Sequence, residues 1–299
     1  MSAPIQPPSE RSAALVIARY AWRESLRRKV VPVVGALTLT FLALYATGVH
    51  FAFKEVGAFE GNGGAGGLAE IDDRALAGAT LTGLAMFATL FLGAILGTFL
   101  TLGVVRGDAE TGLLQPIAAR PLRRGTILGA RLLGAGGVAS VYVIAVFAVA
   151  VAITWISGDW VPDRPISAGL LLGASVVVVT ALSVLVSVFT SSTAQGITVL
   201  MLFGAGLTAG LLGQIGDALS AETLVDISEW VSWILPFEAL YQDALFALTA
   251  ETSGLAGFLL SLGPFGGAKD SGALLLPYAA AYVVGVTALA ARVFGRRDL

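Results

Sequence analysis

The sequence predicts an all-α integral membrane protein: six transmembrane helices, an N-terminal interfacial helix, and outer-surface or re-entrant helices between spans five and six. Three observations predict it. The 299 residues are 56% hydrophobic and 13% charged, where ordinary soluble domains carry about 25% charge. The apolar residues gather into six runs of a length that crosses a hydrocarbon core, which needs ~20 residues in a helix. The basic residues fall on one side of the alternation those runs impose, as the positive-inside rule requires.

Taken in order, residues 1–12 contain Pro and Ser and are expected to be disordered. They lack the early positive region, apolar core and small-residue site of a cleaved leader, so the first span is expected to stay as an anchor. From 13 to 30 the pattern turns helical. Arg19, Arg23 and Arg27 recur every four residues while Leu15, Trp22 and Leu26 share a neighbouring face. Such a helix lies at the headgroups, its arginines toward anionic lipid or a partner.

The spans follow at about 31–53, 75–105, 132–156, 168–189, 196–215 and 273–294, closed by a charged tail at 295–299. His50, the single histidine, is an interface residue at the end of the first span. The stretch 61–67, GNGGAGG, lacks the Gly-Lys-Ser/Thr ending of a phosphate loop and reads as a flexible connector. Span two would be roughly 46 Å long as one helix, so it must tilt, bend or protrude from a ~30 Å core. Its Gly93 and Gly97, like Gly206 and Gly210 of span five, are spaced for close helix contact. Residues 191–195 form a tight turn between spans four and five.

The segment 217–272 carries seven carboxylates and no base up to Glu251. Leu224, Ile227, Val231 and Ile234 follow helical spacing, Trp230 and Trp233 suit headgroup depth, and Pro236 breaks the pattern. One or two surface-lying or re-entrant helices are expected there, and Leu255 to Leu262 is too short to span.

Fourteen of the 18 basic residues lie in the N-terminal segment, the loop 106–131 and the C-terminal end from Arg292 onward; Lys54, Arg74, Arg164 and Lys269 are the remainder. Both termini are therefore expected in the cytoplasm of a multi-pass cell-membrane protein. A net charge of −2 offers no basic field for nucleic acid, and the absence of cysteine excludes thiolate chemistry. No Asp, Glu, Lys, Arg or His lies inside a span away from its ends. A charge there costs about 2.5–3.5 kcal/mol even on the gentlest scale and is kept for function. Its absence argues against an ion-coupled carrier or channel and against an intramembrane enzyme. No metal-binding His-Glu-x-x-His helix and no Gly-x-Ser-x-Gly turn occurs, so no catalytic or metal residue is assigned. Ser140, Ser175, Thr180, Ser183 and Ser187 are expected to bond their own backbone or a neighbouring helix.

The densest charge between two spans is 104–133, VVRGDAETGLLQPIAARPLRRGTILGARLL. It reads as a cytoplasmic handle where outside force is applied: Arg106, Arg120, Arg123, Arg124 and Arg131 resist translocation. A short helix would line up Leu113, Leu114 and Ile117; Pro116 shortens or kinks it and Pro121 ends it.

That stretch also carries an acidic-any-acidic-any-Gly order, with Pro nine residues after the Gly and Arg three after the Pro: Asp108, Glu110, Gly112, Pro121 and Arg124. It resembles the loop between the second and third spans of ABC-2 type transporter permeases, the membrane subunits of one class of ATP-driven exporters. The Arg-rich amphipathic N-terminus and the ending Phe294 to Leu299 resemble the same family. Asp108 stands where Glu is common and Arg131 where Lys is common. The resemblance implies a separate ABC ATPase that carries the ATP and magnesium, this chain being no enzyme and having no cofactor of its own. It implies docking of that ATPase on Asp108, Glu110, Gly112, Leu113, Leu114, Pro121, Arg123 and Arg124, and on the N-terminal helix with Arg19, Trp22, Arg23 and Arg27. It further implies a second permease subunit and a lipid surround. An exporter of a hydrophobic or amphipathic substrate is the first reading; a membrane scaffold that passes ATPase-driven motion to an extracytoplasmic partner is the alternative.

Overall fold

The computed structural model describes residues 22–23, 29–61, 73–102, 124–250 and 267–296. Their regular structure is α-helical: α1 (Val30–Gly61), α2 (Asp73–Thr101), α3 (Arg124–Gly158), α4 (Pro165–Phe189), α5 (Ser192–Leu219), α6 (Glu222–Ile234), α7 (Pro236–Phe246) and α8 (Leu275–Gly295). Six of these, α1 to α5 and α8, are long and apolar enough to cross a membrane, as the sequence predicts. Helices run past the apolar stretches that announced them. α1 continues to Gly61 and α3 begins at Arg124, eight residues ahead of the expected span, so Arg131 sits on its second turn. No proline stands between Pro121 and Pro162, and backbone hydrogen bonding does not stop where hydrophobicity does.

α2 and α4 form the centre. Of their most apolar windows 67% and 72% is buried, against 17% for α1 and for α8. Small residues make that centre possible. Gly93 lies against Val143 and Val176, and Gly97 against Thr180, so a Cβ at either would collide with α3 or α4. The close contact expected of this pair is made within the chain. Ser175, Thr180 and Ser187 donate to their own helix, as expected, to the Leu171, Val176 and Val184 carbonyls at 2.9, 2.7 and 2.6 Å, whereas the buried hydroxyls of Thr89 and Thr98 in α2 meet no partner among the described residues. Neutral pairs tie α1 to α3, namely Thr38 with Tyr142, and Tyr45 Oη with Thr154 Oγ1 at 2.7 Å.

Between α5 and α8 the chain doubles back. Ser220 ends α5 in the left-handed region at φ 52°, with the Ser220 amide donating to Asp217 O and the Ala221 amide to Gly216 O at 2.8 Å. This is a Schellman stop, which reverses the chain sharply enough for α6 to run back along α5. Pro236 then opens α7 at its first position, where no amide is needed. The predicted break at Pro236 is where the hairpin turns. α7 returns to the bundle end, where the Asp163 and Arg164 amides donate to Leu248 and Ala247 carbonyls at 3.1 and 3.0 Å. From Gly216 to Gly206 the hairpin follows α5 for about 15 Å, half of a hydrocarbon core.

Candidate functional site

Two constructions, one at each end of α5, organise the bundle. At the first, α2 ends at Thr101. A helix leaves its last four carbonyls without an intrahelical donor, and a side chain from another helix reaches one of them. Gln195, on the first turn of α5 and 1% exposed, places Nε2 at 3.1 Å from Thr101 O, Ser183 O and Ser183 Oγ alike. Its two N–H groups are shared among these three acceptors. Thr101 Oγ1 lies 2.7 Å from Ser183 Oγ and within 3.0 Å of the Gly97 and Thr98 carbonyls of its own helix. One amide thereby joins α2, α4 and α5 at the end of α2, beyond which residues 103–123 lie outside the described residues.

Trp22 reaches the same end of the bundle. A Cβ at Gly137 would stand 2.7 Å from its ring, and the half-buried indole packs with Val34, Leu96, Leu100, Ala135 and Val138. Arg23 beside it is exposed, so the tryptophan is the anchor of this segment and the arginine its free face. Arg124 is the first residue of α3. Arg19, Arg27, Asp108, Glu110, Gly112, Leu113, Leu114, Pro121 and Arg123 lie outside the described residues, as do 251–266.

At the other end α5 is held by shape. Phe237 stands against Gly206, Glu238 against Gly210, Ser228 against Gly213 and Val225 against Gly216; a Cβ at any of the four would overlap its partner. The pair Gly206 and Gly210, expected to favour close packing, thus receives the α6–α7 hairpin rather than another span. Phe237 also stacks on Phe203, with ring centroids 5.3 Å apart. The carboxyl seated on Gly210 is unusual. Glu238 is 1% exposed, accepts from Ser232 Oγ at 3.0 Å and from the Gln242 amide, and has no cation in hydrogen-bond contact among the described residues. Burial pushes its pKa up to about 7, against the opposing pull of the Ser232 and Gln242 hydrogen bonds and the Lys269 charge. Lys269 itself pairs at 3.7 Å with Glu229, both side chains being largely exposed. Burial likewise raises the Tyr241 hydroxyl, with the Glu238 charge adding to it.

The outer face of α6 is apolar and open: Trp230 is 72% and Trp233 61% exposed, beside Ile227 and Ile234. Its last carbonyls are capped from α8, Tyr278 Oη donating to Trp233 O at 2.5 Å and Tyr282 Oη to Ile234 O at 2.6 Å. At the α5–α6 turn, Gly216, Asp217, Ser220, Glu222, Val225 and Asp226 line a cavity of about 430 Å³. Among the described residues no cluster of three or more His, Asp or Glu is arranged to hold a metal.

Six apolar helices whose described contacts are made by small residues and by hydroxyl and amide pairs, and a hairpin folded back between the last two, fit a polytopic α-helical membrane protein of the permease kind. The family of ABC-2 family transporter proteins matches over residues 15–299, and the chain belongs to that family. It is a membrane-spanning permease, and membership implies an ABC ATPase partner in general. No curated protein matches the chain in sequence.

Gln195 and Glu238 were not assigned from the sequence. For Gln195 a signal was present: with Val199, Phe203, Gly206 and Gly210 it completes a stripe at helical spacing, all of it buried. For Glu238 the signal was weak, because α7 is buried apart from one half-buried strip of Ala239, Asp243 and Phe246, too short and mixed to mark a polar face that sets Glu238 apart.

Proposed function

We propose that this chain is one of two permease subunits of an exporter for a hydrophobic or amphipathic substrate, driven by ATP hydrolysed in a separate ABC ATPase. Both termini and the handle 106–131 face the cytoplasm, and the α6–α7 hairpin faces the other side. The ATPase docks on the handle through Asp108, Glu110, Gly112, Leu113, Leu114, Pro121, Arg123 and Arg124 and on the N-terminal helix through Arg19, Trp22, Arg23 and Arg27. Approach of the two ATPases pushes the handles, tilts α2 and α3, and opens the cleft between the two permeases outward.

One observation carries this reading within the family: the described contacts between spans are neutral. Thr38 with Tyr142, Tyr45 with Thr154, and Gln195 with Ser183 are hydroxyl and amide pairs. Such pairs cannot relay protons or coordinate a driving ion as a carboxylate does, so the energy enters from outside the membrane domain. The chain carries no Gly-x-x-x-x-Gly-Lys-Ser/Thr sequence, which supports nucleotide binding on the partner. The scaffold alternative draws on the open Trp230 and Trp233 face of α6, a surface an extracytoplasmic partner could take.

Glu110→Lys and Gly112→Leu test the handle. Each is expected to insert normally and to lose ATPase co-purification or nucleotide-driven transport. Unchanged coupled transport in both variants would remove the assignment. Passage of a candidate substrate into proteoliposomes separates exporter from scaffold.

A further inference from the structure

Gln195 stands at a junction. On one side is the last residue of α2, where the handle segment begins; on the other is α5, which carries the hairpin on its glycine stripe. α2 and α5 otherwise touch little; a tilted contact between Phe91 and Phe203, 6.1 Å between centroids, is one of the few other meetings. Contacts of that apolar kind let packed helices slide in small shear steps. Hydrogen bonds in a low-dielectric setting do not slide, because each displaced donor leaves a buried carbonyl unpaired. Glutamine is suited to this position, since it offers two N–H donors, bridges backbone carbonyls of two helices and brings no charge.

We infer that Gln195 is a positioning residue for coupling: its carboxamide grips Thr101 and Ser183 so that movement at the root of the handle is carried by α5 to the α6–α7 hairpin. The route beyond Gln195 follows the buried stripe through Val199 to Phe203, whose ring stacks on Phe237 of α7. The inference rests on the proposal that an ATPase drives the handle, and it adds which side chain makes the drive reach the opposite end.

The chain contains no cysteine, so two introduced ones can be spin-labelled without background. His50→Cys and Glu222→Cys place labels on exposed positions of α1 and α6. The purified complex with its ATPase is measured by electron–electron resonance, nucleotide-free and with vanadate-trapped ADP. Trapping is expected to shift the label distance in the parent. In Gln195→Met, which keeps length and volume but has no donor, ATPase activity and trapped nucleotide should persist while the shifted population falls at least about fivefold, the lower end of coupling factors between linked sites. Gln195→Leu, which has no donor and a similar volume, reads the same loss should the methionine variant not assemble. A parental shift in the donor-less variant overturns the inference, as does loss of ATPase or trapped nucleotide together with the shift, which is the mark of a merely structural residue. No shift in the parent, with ATPase bound, brings down the handle reading itself and this inference with it, a failure distinguishable because no substitution is involved.

Discussion

At its first turn α5 is gripped through hydrogen bonds from Gln195, whereas from Gly206 to Gly216 it is gripped by the fit of four side chains into spaces where no Cβ stands. The first grip is directional and small, three acceptors around one amide. The second is broad and steric, with a buried carboxyl at its middle. A hydrogen-bonded clasp holds helices at one register and releases when the donors are withdrawn. A glycine stripe holds wherever the surfaces match and tolerates no added volume. Placed on one helix, the two make α5 a rod with a latch at one end and a socket at the other.

The largest effect is expected from filling the socket. Gly210→Leu drives a side chain into the space of Glu238 and Gln242 and should cost about 3 kcal/mol or more, at the top of the range for overpacking. Limited proteolysis should then cut near Leu235 and Pro236, and thermal unfolding in detergent should move down. A variant as stable as the parent would mean the hairpin is not seated by shape.

Next comes the carboxyl in the socket. Folding raises the Glu238 pKa to about 7 from an ordinary carboxylate value of 4.5. The folded state therefore binds the proton more tightly than the unfolded state, so stability falls as pH rises between these two values and is level above them. The shift corresponds to roughly 3 kcal/mol as an upper bound. Glu238→Gln keeps one oxygen to accept from Gln242, offers an N–H to the Ser232 hydroxyl, and has no charge to bury. It should gain up to that amount near pH 8, match the parent near pH 5, and show a melting temperature flat across the window. Equal pH profiles for the two proteins would show that folding leaves the Glu238 carboxyl at its ordinary pKa.

The smallest effect separates shape from polar contact at the same end. Tyr282→Phe deletes the donor to the Ile234 carbonyl and should cost about 0.5–1.5 kcal/mol, the range for one hydrogen bond. A larger loss would show that α8, and not the glycine stripe, holds the hairpin.

Much of this architecture was legible in the residues. Six runs of lipid-crossing length, the break at Pro236 and the close-packing glycines of spans two and five are all where the pattern put them. Helix limits were less legible, because hydropathy marks the membrane and not the hydrogen bonding: Arg124 to Arg131 read as loop and are the first two turns of α3. The partner of Gly206 and Gly210 was beyond reach as well. Spacing shows that a helix offers a groove, and only the fold shows that Phe237 and Glu238 fill it.

The sequence alone determined six helix-length apolar runs fit to cross a membrane, since unpaired backbone and charge are costly in lipid; that the chain is a permease followed from its likeness to the ABC-2 family. Tertiary structure decided that Gln195, which the pattern put in a short turn and the fold puts in the first turn of α5, joins three helices, and that Glu238, one carboxylate among many in an acidic segment, is the buried one. Composition and periodicity report transfer between water and lipid, one residue at a time. Which donor meets which carbonyl, and which acid loses its water, depends on residues 12 to 94 positions apart in the chain being brought within 3.1 Å and on a helix folded back over its neighbour.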